Sequence, residues 1–232
     1  MQGRNSYPAH AALLGHLAAA AACAGMDAPE DGFAEARRIA LGLDAPAETA
    51  PPGAWLIEEA YLKPFAGVRH AHYAAAAALA LRDRVGPDPA RIEVRTYAEA
   101  IRYAGNRAPR AAIAAQFSLS WAVAAALVQG DLGPAAYADD ALADPRLRAL
   151  EARVALAEDV ALTAAGRRGA TLVVDGVTET VTRVTGDPDL PMAEEEATAK
   201  FTRFAMPVLG AAGAARAVAA ILRDGPAEGL FG

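Results

Sequence analysis

The 232-residue chain holds a single cysteine, Cys23, only two lysines, Lys63 and Lys200, and four histidines, and 6% of its residues are aromatic. One cysteine excludes a disulfide framework within the chain and cannot hold an iron–sulfur cluster; it suits a reducing cytoplasm, where the chain is expected. No block of Lys or Arg is present, and a formal charge of -6 with a pI near 5.3 leaves no electrostatic footprint for nucleic acid or an anionic membrane. The apolar run in MQGRNSYPAHAALLGHLAAAAACAG is broken by His10 and His16 and is too short and too alanine-rich to read as a membrane span. It continues the period of a packed helix as far as Gly25, a helix-stop signal, so it reads as a helix and not as a leader. His10 and His16 lie six residues apart and do not share a helix face, so they make no metal pair. There is no glycine-rich phosphate loop and no internal repeat. The expected partners are small molecules and other protein chains.

What the chain does contain is enough apolar material to fold: 54% hydrophobic residues against 22% charged, over a length that buries one large core or two small ones. Helices are expected over 9–24 and 31–42, and the proline-rich DAPAETAPPG at 44–53 marks a boundary. AWLIEEAY reads as a strand leading to Lys63, 69–84 as a helix, RIEVRTY as a strand of period two, and 111–129 as a helix closed by Gly130. Asp144 before Pro145 is an N-cap with proline at the first helical position, opening a helix through about Arg153. Three strand-like runs follow between Val154 and Pro188. One turn falls at Gly166–Gly169 and another at Asp175-Gly176, a type I′ hairpin signal. Two helical stretches, PMAEEEATAKFTRFA and AAGAARAVAAILRD, close the pattern. The expected class is α+β: a small antiparallel sheet with packed helices, plus a helical layer from the N- and C-terminal segments. The expected division is 1–43 as a partial helical domain, 54–190 as the α+β domain, and 191–232 as helices returning to the helical layer.

The chemistry gathers in YLKPFAGVRHAHYAAAAALALR, residues 61–82, which holds one of the two lysines and two of the four histidines. This segment resembles the F-K-P-Y-P-x-C-R-x-x-H stretch of the MmgE/PrpD family, the 2-methylcitrate dehydratases and their relatives. RIEVRTYAEA, AQFSLSWAVAAALVQGDLG, DPRLRALEARV and AEEEATAKF resemble further family segments in the same order. The resemblance implies a C-terminal half, with an N-terminal helical half supplied by a separate chain. It also places Arg4 where the family has a site lysine, Tyr7 where it has histidine, and Gln116 where A-K-F-S-L carries lysine.

Dehydrating a 2-hydroxy acid needs a base for the proton beside a carboxylate, an acid for the departing oxygen, and cations for the carboxylates. The resemblance implies an acid–base site without metal or cofactor. In it, Lys63 and His72 would be the catalytic pair, Arg69 a carboxylate clamp, and Arg4, Tyr7 and Tyr103 pocket residues. The plainer alternatives remain open: a solvated lysine at a strand end, a histidine packed between helix and sheet, and an arginine that only begins a helix. His70 reads as a surface or supporting residue, and Lys200 as the i+4 partner of Glu196. Two functions follow from these readings. One is a lyase or isomerase of a small carboxylic acid, working as a homo-oligomer or as a hetero-oligomer with the missing half. The other is a catalytically degenerate subunit or binding module that keeps the fold.

Overall fold

The computed structural model describes residues 7–43, 51, 53 and 55–222. Arg4 and most of the expected 44–53 linker lie outside the described residues. The chain divides into two compact units, Met1–Ile57 and Glu58–Gly232.

The first unit contains two helices, α1 (Tyr7–Cys23) and α2 (Gly32–Leu41). Each ends as a glycine C-cap should. Gly25 and Gly42 hold positive φ values of 84° and 64°, which cost glycine little, and the Gly42 N–H donates to the Arg38 carbonyl at 3.1 Å. The strand expected at 54–61 does not form. Leu56–Glu59 is a 3-10 turn, and Glu58 and Glu59 stay exposed, as two successive carboxylates prefer.

The second unit is α+β, as the segment pattern implies. Its sheet has the order β2-β1-β3-β4, from β1 (Ile92–Thr96), β2 (Val154–Glu158), β3 (Ala170–Val174) and β4 (Val177–Val181). β3 pairs antiparallel with both β1 and β4, across a turn whose Asp175 and Gly176 have φ of 46° and 86°, the type I′ pattern. The expected antiparallel meander over 154–188 is corrected: only β3 and β4 pair as successive strands, β1 lies between β2 and β3, and β2 runs parallel to β1. Parallel neighbours need a long crossover, which the chain supplies through α4 (Ala98–Ala104), α5 (Ala112–Ala115), α6 (Leu119–Gln129), α7 (Asp139–Ala143) and α8 (Pro145–Arg153). After β2 the chain forms the short α9 (Val160–Ala164) before entering β3.

One face of the sheet carries Ile92, Val94 and Thr96 opposite Val174, Leu172 and Ala170, all six buried, as the period-two pattern demands. Across this face lies α3 (His72–Leu81), entered through a 3-10 turn at Arg69–Ala71, with α6 packed against it and reaching β2. Ala74, Ala75, Ala77 and Ala78 of α3 and Ala122, Ala124, Ala125 and Ala126 of α6 are fully buried. Side chains this small let two helices and a sheet approach closely, so α3 is enclosed on nearly every side. The start of α3 is therefore a place where a polar side chain can be taken out of water.

The Asp144 N-cap forms as read, its carboxylate accepting the Arg146 N–H at 2.7 Å. The expected 111–129 helix is interrupted between α5 and α6, where Ser118 caps α6 by accepting the Trp121 N–H at 3.1 Å. The last helical run, α10 (Glu194–Leu222), contains Pro207 and a non-helical Gly210 with φ 66° and ψ 169°. It is thus two helices, as the sequence pattern suggests. Its full length and apolar composition reach the measure of a membrane span, but Gly210 divides it into 194–209 and 211–222, each below the ~20 residues a spanning helix needs.

Candidate functional site

Lys63 sits on a strap, residues 61–68, without regular structure, pinned by backbone hydrogen bonds to three separate segments. The Leu62 N–H donates to the Gly186 carbonyl (2.9 Å), the Ala66 N–H to the Leu132 carbonyl (2.9 Å), and the Val68 N–H to the Gln116 carbonyl (2.8 Å). Gly186 is required for this contact. Its φ is +94°, and a Cβ there would stand 1.9 Å from the Leu62 carbonyl oxygen.

The strap delivers the chain into α3, whose first residue, His72, is fully buried. Its Nε2 lies 3.4 Å from the Gly67 carbonyl, and its ring meets Phe65 edge-on at 5.3 Å. A carbonyl only accepts, so Nε2 carries the proton and Nδ1 presents a bare lone pair, which has no hydrogen-bond partner. Burial pushes the His72 pKa down to about 3, and the charges of Arg69, Lys63 and Lys200 push in the same direction against the Gly67 bond. Both lysines of the chain thus bear on one neutral, buried imidazole.

Lys200 is not the ion-pair partner of Glu196. The Glu196 carboxylate accepts the Ala193 N–H at 3.1 Å, closing the first turn of α10. Lys200 Nζ lies 5.9 Å from the centre of the Phe204 ring, and burial followed by the charge of Arg203 lowers its pKa. It lines a cleft of about 360 Å³ with Pro64, Thr185, Met192, Glu196 and Arg203. It also lines a more apolar hollow of about 440 Å³ with Leu62, Phe201 and Phe204.

Arg69 is buried and salt-bridged to Asp187, itself buried, and its guanidinium lies over Tyr61 at 4.7 Å and Tyr73 at 5.3 Å. Its charge is committed inside the fold, and a substrate carboxylate would have to compete with Asp187 for it.

The profile of the MmgE/PrpD C-terminal domain matches residues 65–224. The chain belongs to the MmgE/PrpD family. No curated protein matches it. The matched span of this MmgE/PrpD domain includes Arg69, His72 and Lys200, and Lys63 stands two residues before it.

Tyr103 and His70 have contacts of their own. Tyr103 is half exposed and stacks on His70, with ring centres 5.4 Å apart and an 11° interplanar angle. His70 Nδ1 in turn lies 2.7 Å from the Tyr97 hydroxyl. Burial pushes the His70 pKa down and the Tyr97 pKa up, so both are neutral and share one proton-bearing hydrogen bond. His70 thus has a structural partner of its own. Tyr7, at the start of α1 in the first unit, is largely exposed.

Two residues of this MmgE/PrpD domain escaped the sequence reading, Asp187 and Tyr137, and Lys200 was read only as a partner of Glu196. The Tyr137 hydroxyl is buried without a partner, and a Cβ on Gly67 would come within 2.7 Å of it. The scarcity of lysine was a usable signal for Lys200. For Asp187 and Tyr137 the sequence offers none, since what gives each its place, Arg69 for Asp187 and the close approach of Gly67 for Tyr137, lies far away along the chain.

Proposed function

We propose that the chain is the C-terminal half of a metal-free lyase or isomerase of the 2-methylcitrate dehydratase type. It would act on a small (tri)carboxylic acid and be completed by a second chain that supplies the helical half. The observation that carries this reading is the buried His72 with its unpartnered Nδ1, on which the charges of both lysines of the chain act. An unpartnered buried acceptor costs about 1–3 kcal/mol, and such groups persist where a site uses them. A histidine held near 3 is a poor base on its own. A bound polycarboxylate would offset the lysine charges, which are the smaller causes of that depression, and so raise the His72 pKa part of the way while burial still holds it down. Lys63 would hold a substrate carboxylate or protonate the departing oxygen, and Nδ1 of His72 would accept the proton from carbon.

A second reading, a subunit that keeps the fold without the chemistry, is favoured by the commitment of Arg69 to Asp187. The two are separated by offering the purified chain 2-methylcitrate, citrate and cis-aconitate, alone and together with a co-expressed helical half. Turnover by either preparation supports the enzyme; absence of both turnover and binding in both preparations leaves the non-catalytic subunit.

A further inference from the structure

The backbone of Gly67 does not call for glycine, since its φ lies outside the left-handed region that favours one. What excludes a side chain there is Tyr137, at the end of the 3-10 turn Pro134–Tyr137. A Cβ on Gly67 would stand 2.7 Å from the Tyr137 hydroxyl, but 3.7 Å from the ring carbon that bears it and 3.7 Å from the Gln116 carbonyl, both ordinary contact distances. The obstruction is therefore the hydroxyl alone. Tyr137 is 3% exposed and its oxygen has no hydrogen-bond partner among the described residues. Burial, with the charge of Asp131, pushes its pKa up, so it keeps its proton. A phenylalanine would fill the same space without burying an unpartnered polar group, so packing gives no reason for the oxygen.

That oxygen presses on the one residue whose carbonyl holds His72. Gly67 lies between two anchored residues, Ala66 on the Leu132 carbonyl and Val68 on the Gln116 carbonyl, so its remaining freedom is a tilt of its peptide. Its carbonyl accepts from His72 Nε2 at 3.4 Å, near the outer limit of a hydrogen bond. At that distance a small tilt decides whether the bond exists, and the bond decides which ring nitrogen carries the proton. We propose that Tyr137 is a positioning residue: its hydroxyl, seated against Gly67, keeps the Gly67 carbonyl on His72 Nε2 and so keeps Nδ1 bare. The inference rests on the enzymatic reading above for its use, because Nδ1 is the atom that would take the proton from carbon. The contact and the tautomer themselves do not depend on turnover.

The full chain carrying 15N-labelled histidine reports the tautomer through the shifts of its ring nitrogens, and the signals lost in His72→Gln assign His72. At pH 7 the wild-type chain is expected to show His72 in the Nε2–H form alone. Tyr137→Phe is expected to add a second species with the proton on Nδ1, while its urea midpoint stays equal or rises. A Tyr137→Phe chain that keeps the pure Nε2–H form overturns the positioning role. A second species accompanied by a lower midpoint overturns it as well, because the hydroxyl would then serve packing. The contact has its own test in Gly67→Ala, which is expected to lower the midpoint beside Tyr137 and to be tolerated in Gly67→Ala/Tyr137→Phe, where the nearest atoms are 3.7 Å away. An equal loss in both backgrounds overturns the contact. Where the chain turns over, kcat of Tyr137→Phe is expected to fall in proportion to the Nδ1–H share with KM unchanged. A chain inactive toward every acid offered, whose tautomer still follows Tyr137, upholds the positioning and overturns only its catalytic use.

Discussion

A histidine held near pH 3 by burial is neutral at any ordinary working pH, and this fixes both what His72 can do and how it affects stability. The unfolded chain binds a proton to this residue below its ordinary pKa of about 6.5, and the folded chain does not until near pH 3. Stability is therefore complete above pH 6.5 and falls as the pH drops toward 3, by up to about 1.4 kcal/mol per pH unit. Urea unfolding at pH 7 and pH 5 is expected to show a lower midpoint at pH 5, and His72→Gln to flatten that difference whatever its own stability. An equally steep dependence in the variant would place the titrating group elsewhere. Lys63 carries a different expectation. Lys63→Ala should lower turnover by roughly 10²-fold, the usual loss on removing one acid–base group, with little change in the unfolding midpoint. Lys63→Arg keeps the charge but cannot readily release a proton, and it is expected to lose activity too. A fully active Lys63→Arg enzyme would reduce Lys63 to a carboxylate holder.

The elements around the strap show why Lys63 has a defined position without being on a strand. The 183–190 loop holds the strap through the Gly186 carbonyl and through Asp187, which pairs with Arg69 and also accepts the Val184 N–H at 3.3 Å. Asp187→Ala would leave Arg69 buried without its counter-charge, and the expected cost is about 3–5 kcal/mol in urea or thermal unfolding. A loss under about 1 kcal/mol would mean that Arg69 turns outward to solvent and that the pair does not hold the loop. Local signals of this kind were legible wherever the cause is local. Asp144-Pro145 opened its helix, Asp175-Gly176 closed its hairpin, and the alternation in RIEVRTY gave β1 with its buried face. What depended on distant partners was not legible. β2 reads as a strand, but its parallel pairing with β1 follows from where the crossover helices leave it. AWLIEEAY reads as a strand from its short apolar run, but Leu56–Glu59 forms a 3-10 turn, and among the described residues no strand pairs beside it. The i+4 rule gave Lys200 to Glu196, but the free N-terminus of α10 competed for that carboxylate and took it. The site divides in the same way: Lys63, Arg69 and His72 stood in one quoted segment, and Lys200 came from 128 residues beyond His72.

For the whole molecule the open account is that of α1. It runs from Tyr7 to Cys23 with no buried side chain among those described, and Leu13, Leu14 and Leu17 are 56%, 66% and 54% exposed. A helix apolar on all sides belongs inside a protein, and one of this length is marginal in water without packing. Burying each leucine is worth about 1.5–3 kcal/mol, so the three together would favour a covered state by several kcal/mol. Because the apolar surface goes all round, one flat contact would leave part of it wet, and cover by several helices from a second chain or a second copy answers the need better. The chain is therefore expected to be oligomeric, as a homo-oligomer or with a partner carrying the helical half. Sedimentation at micromolar concentration is expected to show a species larger than 23.8 kDa, and Leu14→Glu to shift it toward the monomer by placing a charge on the covered face. A wild-type chain that sediments as a stable monomer, with α1 resistant to protease and no co-purifying partner, would mean that α1 needs no such cover. The expectation that a second chain completes the site would then lose its physical motive.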